Sequence, residues 1–343
     1  MDAYSNKERA NNLMVIAEVG VNHNGDIENA KKLVHLAKES GANCIKFQTF
    51  NAESIASSQT PLADYQKISS FGYKNQLDLL KSLELSYKSH KELFELCQKV
   101  KIDFLSTPFD IKSLQLLTSL GCNRIKISSG DLTNYFLLNK VSEQNLSVIL
   151  STGMGDLQEV SDAIECLSSN ALTKKDISLL HCTSGYPCPT DSVNLKAMNT
   201  LAQNFHFPIG YSDHTIGCEV AIAAVAAGAK IVEKHFTLDT AMSGPDHRSS
   251  LNPKEFQKLV QGIRRMEVIM GSEVKQTSDV ERQNKLLVRK SLVAKVKILK
   301  GEKFTYQTLT AKRPGNGLSP MLLPSLIGKK AKKTFNEGDQ VEL

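Results

Sequence analysis

Several features are missing from this chain of 343 residues, and each absence removes a class of protein. Its most apolar run, Val220 to Ala229, covers only about half of a bilayer crossing, so no membrane-spanning segment is expected. The opening residues are polar and contain no hydrophobic stretch of the kind a secretory signal needs, which points to a cytoplasmic protein. Seven cysteines occur without a Cys-x-x-Cys pair (Cys44, Cys97, Cys122, Cys166, Cys182, Cys188 and Cys218), and an odd, scattered set favours reduced thiols over a disulfide framework. No Gly-x-Gly-x-x-Gly follows the first strand-like run, which weighs against a dinucleotide-binding open sheet.

What is present is an alternation of strand-like and helix-like segments. Strand-like runs begin at Met14, Cys44, Asp103, Arg124, Ser147, Ile177, Ile209 and Ile231. Amphipathic stretches separate them, such as Ile27 to about Ser40 with apolar Ala30, Leu33, Val34 and Ala37 and a glycine stop at Gly41. Eight β-then-α units predict an α/β fold, a (β/α)8 TIM barrel, whose active site lies at the C-terminal rim of the strands. Residues 1–275 are assigned to the barrel, 276–288 to a polar linker and 289–343 to a small β-rich module. Between Asn51 and Leu85 lies a connection too long for a plain helix; it carries Tyr65, Phe71 and Tyr73 and reads as a lid or as an insertion without a role.

The strand exits carry the polar chemistry. Ile209-Gly-Tyr-Ser-Asp-His-Thr215 and Ile231-Val-Glu-Lys-His-Phe-Thr237 each end in a histidine, and His214 and His235 are 21 residues apart, one strand-plus-helix unit. At one rim the two imidazoles either share a divalent metal or act as hydrogen-bonded structural residues. The same rim would receive Lys46, Lys126, Thr107, Ser129, Ser151, Ser184 and Ser212, with Asn22, Gln48, Glu18, Asp131 and Asp213 beside them. Lysines with short hydroxyl donors suit a phosphate or carboxylate, and inside apolar sequence an unpaired ammonium would be costly. The tail from 285 to 343 holds 13 Lys plus Arg against 4 Asp plus Glu, a net of +9 in a chain of net +6, so the remainder carries −3. A basic tail can attract nucleic acid or anionic lipid, but no nucleic-acid module is recognisable and a solvated face explains the lysines as well.

Ten ordered blocks carry a resemblance to a known family. Among them are Glu18-Val-Gly-Val-Asn-His-Asn-Gly25, Lys46-Phe-Gln48, Lys126-Ile-Ser-Ser-Gly130, Gly210-Tyr-Ser-Asp-His-Thr215, Glu233-Lys-His-Phe-Thr237, Gly244-Pro-Asp246 and Lys312-Arg-Pro-Gly-Asn-Gly317. Together they resemble the motif series of the sialic acid (nonulosonate) synthases, enzymes with a C-terminal antifreeze-like (SAF) domain. The resemblance implies a transferase that condenses phosphoenolpyruvate with the open-chain aldehyde of an N-acylated hexosamine, releasing phosphate and a nine-carbon 2-keto acid. It implies Mn2+ or Mg2+ on His214 and His235, and phosphoenolpyruvate held by Lys46, Thr107, Lys126, Ser129, Ser151, Ser184 and Ser212. Glu18 would handle the attacking water, while Gln48, Asp131, Tyr186, Asp246 and Arg313 would meet the sugar. Arg313 would do so across a domain-swapped homodimer.

Two departures bear on the sugar. Ser129-Gly-Asp131 replaces the Ser-Gly-Glu of many sialic acid synthases, and Ser184 with Gly185 stands where larger side chains are usual. N-acetylneuraminate synthesis from N-acetylmannosamine is the main expectation, and the room left by the smaller residues brings N,N'-diacetyllegionaminate synthesis, from a 2,4-diacetamido-6-deoxy sugar with an extra acylamino group, nearly level with it. Pseudaminate synthesis or a non-catalytic sugar-binding barrel stands behind both.

Overall fold

The alternating segments become, in the computed structural model, a ring of parallel strands wrapped by helices; residues 13–62, 72–170 and 176–342 are described. The strands are β1 (Met14–Gly20), β2 (Cys44–Thr49), β3 (Asp103–Pro108), β4 (Arg124–Ile127), β5 (Ser147–Ser151), β6 (Ile177–His181), β7 (Ile209–Asp213) and β8 (Ile231–His235). They are ordered β3-β2-β1-β8-β7-β6-β5-β4. The ring closes where β3 meets β4, neighbours without a backbone ladder among the described residues. This is the TIM-like barrel expected from the sequence. Strands one and six end earlier than their apolar runs suggest, at Gly20 and His181, because the polar residues beyond them form turns and loops.

Local chemistry starts and stops each unit. Helix α1 (Ile27–Glu39) begins where the Asp26 carboxylate accepts the Glu28 and Asn29 amides, and its buried face is Ala30, Leu33, Val34 and Ala37, as the 3.6-residue period predicts. Side chains alternate across each strand, so one set packs outward on the helices and the other fills the ring. The outward set includes Val15, Ala17 and Val19 of β1. Inside, Ile16, Cys44, Leu105, Ile149, Leu180 and Ile231 form an apolar plug. Each fully buried aliphatic side chain contributes roughly 1.5–3 kcal/mol.

The long connection after β2 is partly helical: α2 (Ala52–Ile55) and α3 (Gln76–Leu83) start at the side-chain caps Asn51 and Asn75. Tyr73 is exposed at 38%, whereas Tyr65 and Phe71 lie outside the described residues. Gly25, with φ +73°, lets the β1 exit turn lie directly on α3, since a Cβ there would stand 2.3 Å from the Ser82 carbonyl oxygen.

A second compact unit spans Ser272–Leu343. Its first part, expected as a bare linker, contains a helix at Asp279–Val288 with a Ser278/Glu281 capping box, although none of that helix is buried. Strands β9 (Ser291–Ala294) and β10 (Leu309–Lys312) pair antiparallel over a core that includes Leu292, Ile298, Phe304, Phe335 and Val341.

Candidate active site

One step along the strands from the apolar plug, the inward positions turn ionic. Ile16 gives way to Glu18, Cys44 to Lys46, and Ile231 to Glu233, with Lys126 arriving from β4 and Ser212 from β7. All five side chains are buried. Lys46 Nζ lies 2.9 Å from Glu18 Oε2, 3.6 Å from Glu233 Oε1 and 3.3 Å from Thr107 Oγ1. Lys126 Nζ donates to both Glu233 oxygens at 3.0 and 3.1 Å, and Ser212 Oγ donates to Glu233 Oε1 at 3.0 Å. Burial opposes the Lys46 charge, yet Glu18 and Glu233 together outweigh it and raise its pKa. For Lys126 burial prevails and the pKa falls. Glu233 resists its own burial because Lys126 and Lys46 hold it as a carboxylate, well below the usual range. Burial, then the repulsion of Glu233, leaves Glu18 at about 7 against the pull of Lys46. The layer is thus a pair of cations, one firm anion and one carboxyl able to exchange a proton near neutrality.

Above this layer stand the two histidines, with ring centroids 5.5 Å apart. Burial lowers the pKa of His214 to about 4, and burial with His214 beside it holds that of His235 well below the usual imidazole range, so both rings are neutral and keep a lone pair. His214 Nδ1 lies 2.8 Å from the Thr183 carbonyl oxygen, which fixes the proton on Nδ1 and leaves Nε2 unprotonated, 3.4 Å from Ser212 Oγ. His235 Nδ1 is buried and finds no hydrogen-bond partner, with Asp246 Oδ2 3.9 Å away. An orphaned imidazole nitrogen facing a second neutral imidazole fits a divalent cation. Among the described residues no third His, Cys, Asp or Glu completes a ligand set, so most positions on such a cation would belong to substrate and water.

A single cavity of about 840 Å3 gathers the expected residues. Glu18, Lys46, Gln48, Thr107, Lys126, Ser129, Asp131, Ser151, Ser184, Tyr186, Ser212, His214, His235 and Asp246 all line it. Tyr186 stacks at a tilt on His214, centroids 4.3 Å apart. The Asp131 carboxylate is held within its own turn by Ser128 Oγ at 2.6 Å and Asn134 Nδ2 at 3.0 Å. Burial raises Asp246 to about 6. Arg313 belongs to the second unit, where its Nε donates to the Val288 carbonyl. Asn22 and Asp213, grouped with the rim by the sequence, serve elsewhere. Asn22 donates to the Phe236 carbonyl and Ser250, and Asp213 points away from the cavity to accept from Lys234 Nζ at 2.8 Å and from Thr215.

Comparison with known proteins accords with this geometry. The model of the NeuB family matches residues 33–275, and that of the SAF domain matches residues 289–342. The chain belongs to the NeuB family. Among curated relatives, it is similar to N,N'-diacetyllegionaminic acid synthase of Campylobacter jejuni, 47% identical over 96% of this chain and 98% of that one. It is also similar to the protein of that name from Legionella pneumophila, 44% identical over 94% and 92%. Among solved structures, N-acetylneuraminic acid synthetase from Leptospira borgpetersenii, in complex with citrate, superposes with a TM-score of 0.71 at 36% identity, covering 80% of this chain and 90% of that one. NeuB relatives are sialic acid-type synthases, so the family is one of enzymes.

Within this NeuB barrel, sequence reasoning overlooked Glu233. The signal was available, because Glu233 and His235 lie two apart on β8 and so share a face with each other and with the cavity. Cys182, also in the cavity and 3.1 Å from Ser129 Oγ, was read only as a thiol.

Proposed function

We propose that this NeuB protein condenses phosphoenolpyruvate with the open-chain aldehyde of 2,4-diacetamido-2,4,6-trideoxymannose, giving N,N'-diacetyllegionaminate and inorganic phosphate. The class of reaction is supported by one observation above all: two buried lysines and a file of hydroxyls face the same cavity as two neutral histidines. The sugar is supported by the names of the two curated relatives, which favour the legionaminate reading over the N-acetylneuraminate reading that the sequence put first.

In this reading Lys46 and Lys126, with Thr107, Ser129, Ser151, Ser184 and Ser212, bind the phosphate and carboxylate, taking up some of the charge that Glu233 neutralises in the free protein. C3 of phosphoenolpyruvate forms the new bond to the aldehyde carbon, whose oxygen takes a proton to become a hydroxyl. Water adds at C2 and Glu18 takes its first proton; the C2–O bond to phosphate then breaks, the phosphate leaving with the bridging oxygen, while the second proton is lost and the 2-keto group forms. Gln48, Tyr186 and Asp246 orient the sugar so that its aldehyde meets C3. His214 and His235 would hold Mn2+ or Mg2+, which when bound supplies Lewis-acid polarisation of the aldehyde oxygen.

Phosphate release from phosphoenolpyruvate with each sugar tests the proposal. With Mn2+ present, 2,4-diacetamido-2,4,6-trideoxymannose should show the higher kcat/KM, chelation should abolish turnover, and His214→Ala and His235→Ala should each lose it; turnover at the wild-type rate in those variants would reject the metal assignment. Faster turnover of N-acetylmannosamine would establish the second reading, N-acetylneuraminate synthesis. No phosphate release with either sugar would reject the reaction itself.

A further inference from the structure

The cavity is chemically divided. Besides the lysines and histidines it is lined by Phe50, Ile55, Leu79, Leu80, Leu83 and Phe109, an apolar stretch in which Ser54 and Gln76 are the polar members. The apolar residues form a cluster of their own, apart from the main core and from the plug inside the ring. Phe50 and Phe109 directly follow β2 and β3, and the rest come from α2 and α3. The wall therefore stands above the ionic layer, towards the mouth.

It is also a built element. Glu84 closes the base of the insertion by accepting the Ala52 amide at 2.8 Å, Lys81 reaches Glu53 at 2.7 Å between α3 and α2, and the Gly25 turn lies on the α3 backbone. Phe50 and Phe109 meet edge to face, centroids 6.3 Å apart. Ile55 and Leu80 are half-buried and line the cavity.

Resting on the reaction proposed above, we infer that this wall selects the sugar: Ile55, Leu79 and Leu80 receive its distal, deoxygenated end. The aldehyde carbon must lie low, beside the lysines and histidines, so an open-chain hexose extends its fourth to sixth carbons towards the mouth. A methyl group at the sixth position and an acyl methyl at the fourth bury apolar surface there. A hydroxyl at the sixth position set against Ile55, Leu79 and Leu80 would lose water and receive no hydrogen bond from those three side chains. One group of this kind in a hydrophobic pocket discriminates between sugars by roughly 10–200-fold.

The experiment compares Leu80→Gln and Ile55→Thr with the wild type, following phosphate release from phosphoenolpyruvate with 2,4-diacetamido-2,4,6-trideoxymannose and with N-acetylmannosamine. The ratio of kcat/KM for the first sugar to that for the second should fall on the order of 10-fold in each variant, with KM for phosphoenolpyruvate unchanged. An equal loss for both sugars, or an unchanged ratio, overturns the inference while leaving the reaction standing. Wild-type protein inactive on both sugars would overturn the reaction and this inference with it. Ile55→Thr sits in a four-residue helix at a half-buried position, so it carries the test even if Leu80→Gln unfolds.

Discussion

Two lysines buried in one cavity need compensation, and Glu233 serves both, within 3.1 Å of Lys126 by both oxygens and 3.6 Å from Lys46, which also has Glu18 at 2.9 Å. Removing one partner from a buried charge pair leaves the others unpaired in low dielectric, at a cost of about 3–5 kcal/mol. Glu233→Ala should therefore lower unfolding stability by about that amount in urea titration, and Glu233→Gln, which keeps an acceptor for Ser212 and Lys126, by distinctly less. A loss below about 0.5 kcal/mol in Glu233→Ala would mean that the lysines do not depend on this carboxylate. Single residues were legible where alternation could be counted. Lys46 and Gln48 two apart on β2, or Ser212 on β7 and His214 just past its end, announce a common face. Asp213 violates that count, being odd in register, and its place beside Lys234 follows from the same rule.

At the scale of the element, strands and their order could be read from the sequence because each apolar run ends in a polar exit and a capped helix. The helix at Asp279–Val288 could not be read from periodicity, since its apolar residues Val280, Leu286, Leu287 and Val288 are exposed and set among charges; its mark in the sequence is the Ser278/Glu281 capping box. Nor could the apolar wall of the insertion, whose residues are interrupted by polar ones and gather only through contacts among β2, β3, α2 and α3. Gly25 is the joint of that assembly. Gly25→Ala combines a strained φ of +73° with a Cβ 2.3 Å from backbone oxygen, so α3 must shift. The variant should lose about 1–3 kcal/mol of stability in thermal or denaturant unfolding and raise KM for the sugar more than KM for phosphoenolpyruvate. Equal effects on the two constants would show that α3 does not line the sugar's end of the cavity.

At the scale of the whole molecule, the first unit is a barrel with its polar cavity at one end, and the second a small β-rich module with a core of its own. All seven cysteines are free thiols, and among the described residues no helix is long and apolar enough to cross a membrane. The plug of Ile16, Cys44, Leu105, Ile149, Leu180 and Ile231 shuts the ring beneath the ionic layer, which makes the cavity a cul-de-sac. Two reactants sharing one doorway must queue, and whichever sits lower must arrive first and leave last. Excess sugar should then obstruct the acid below it, giving substrate inhibition that rising phosphoenolpyruvate relieves in initial-rate measurements. Rates that stay indifferent to excess sugar at every phosphoenolpyruvate concentration would mean a back entrance through the floor.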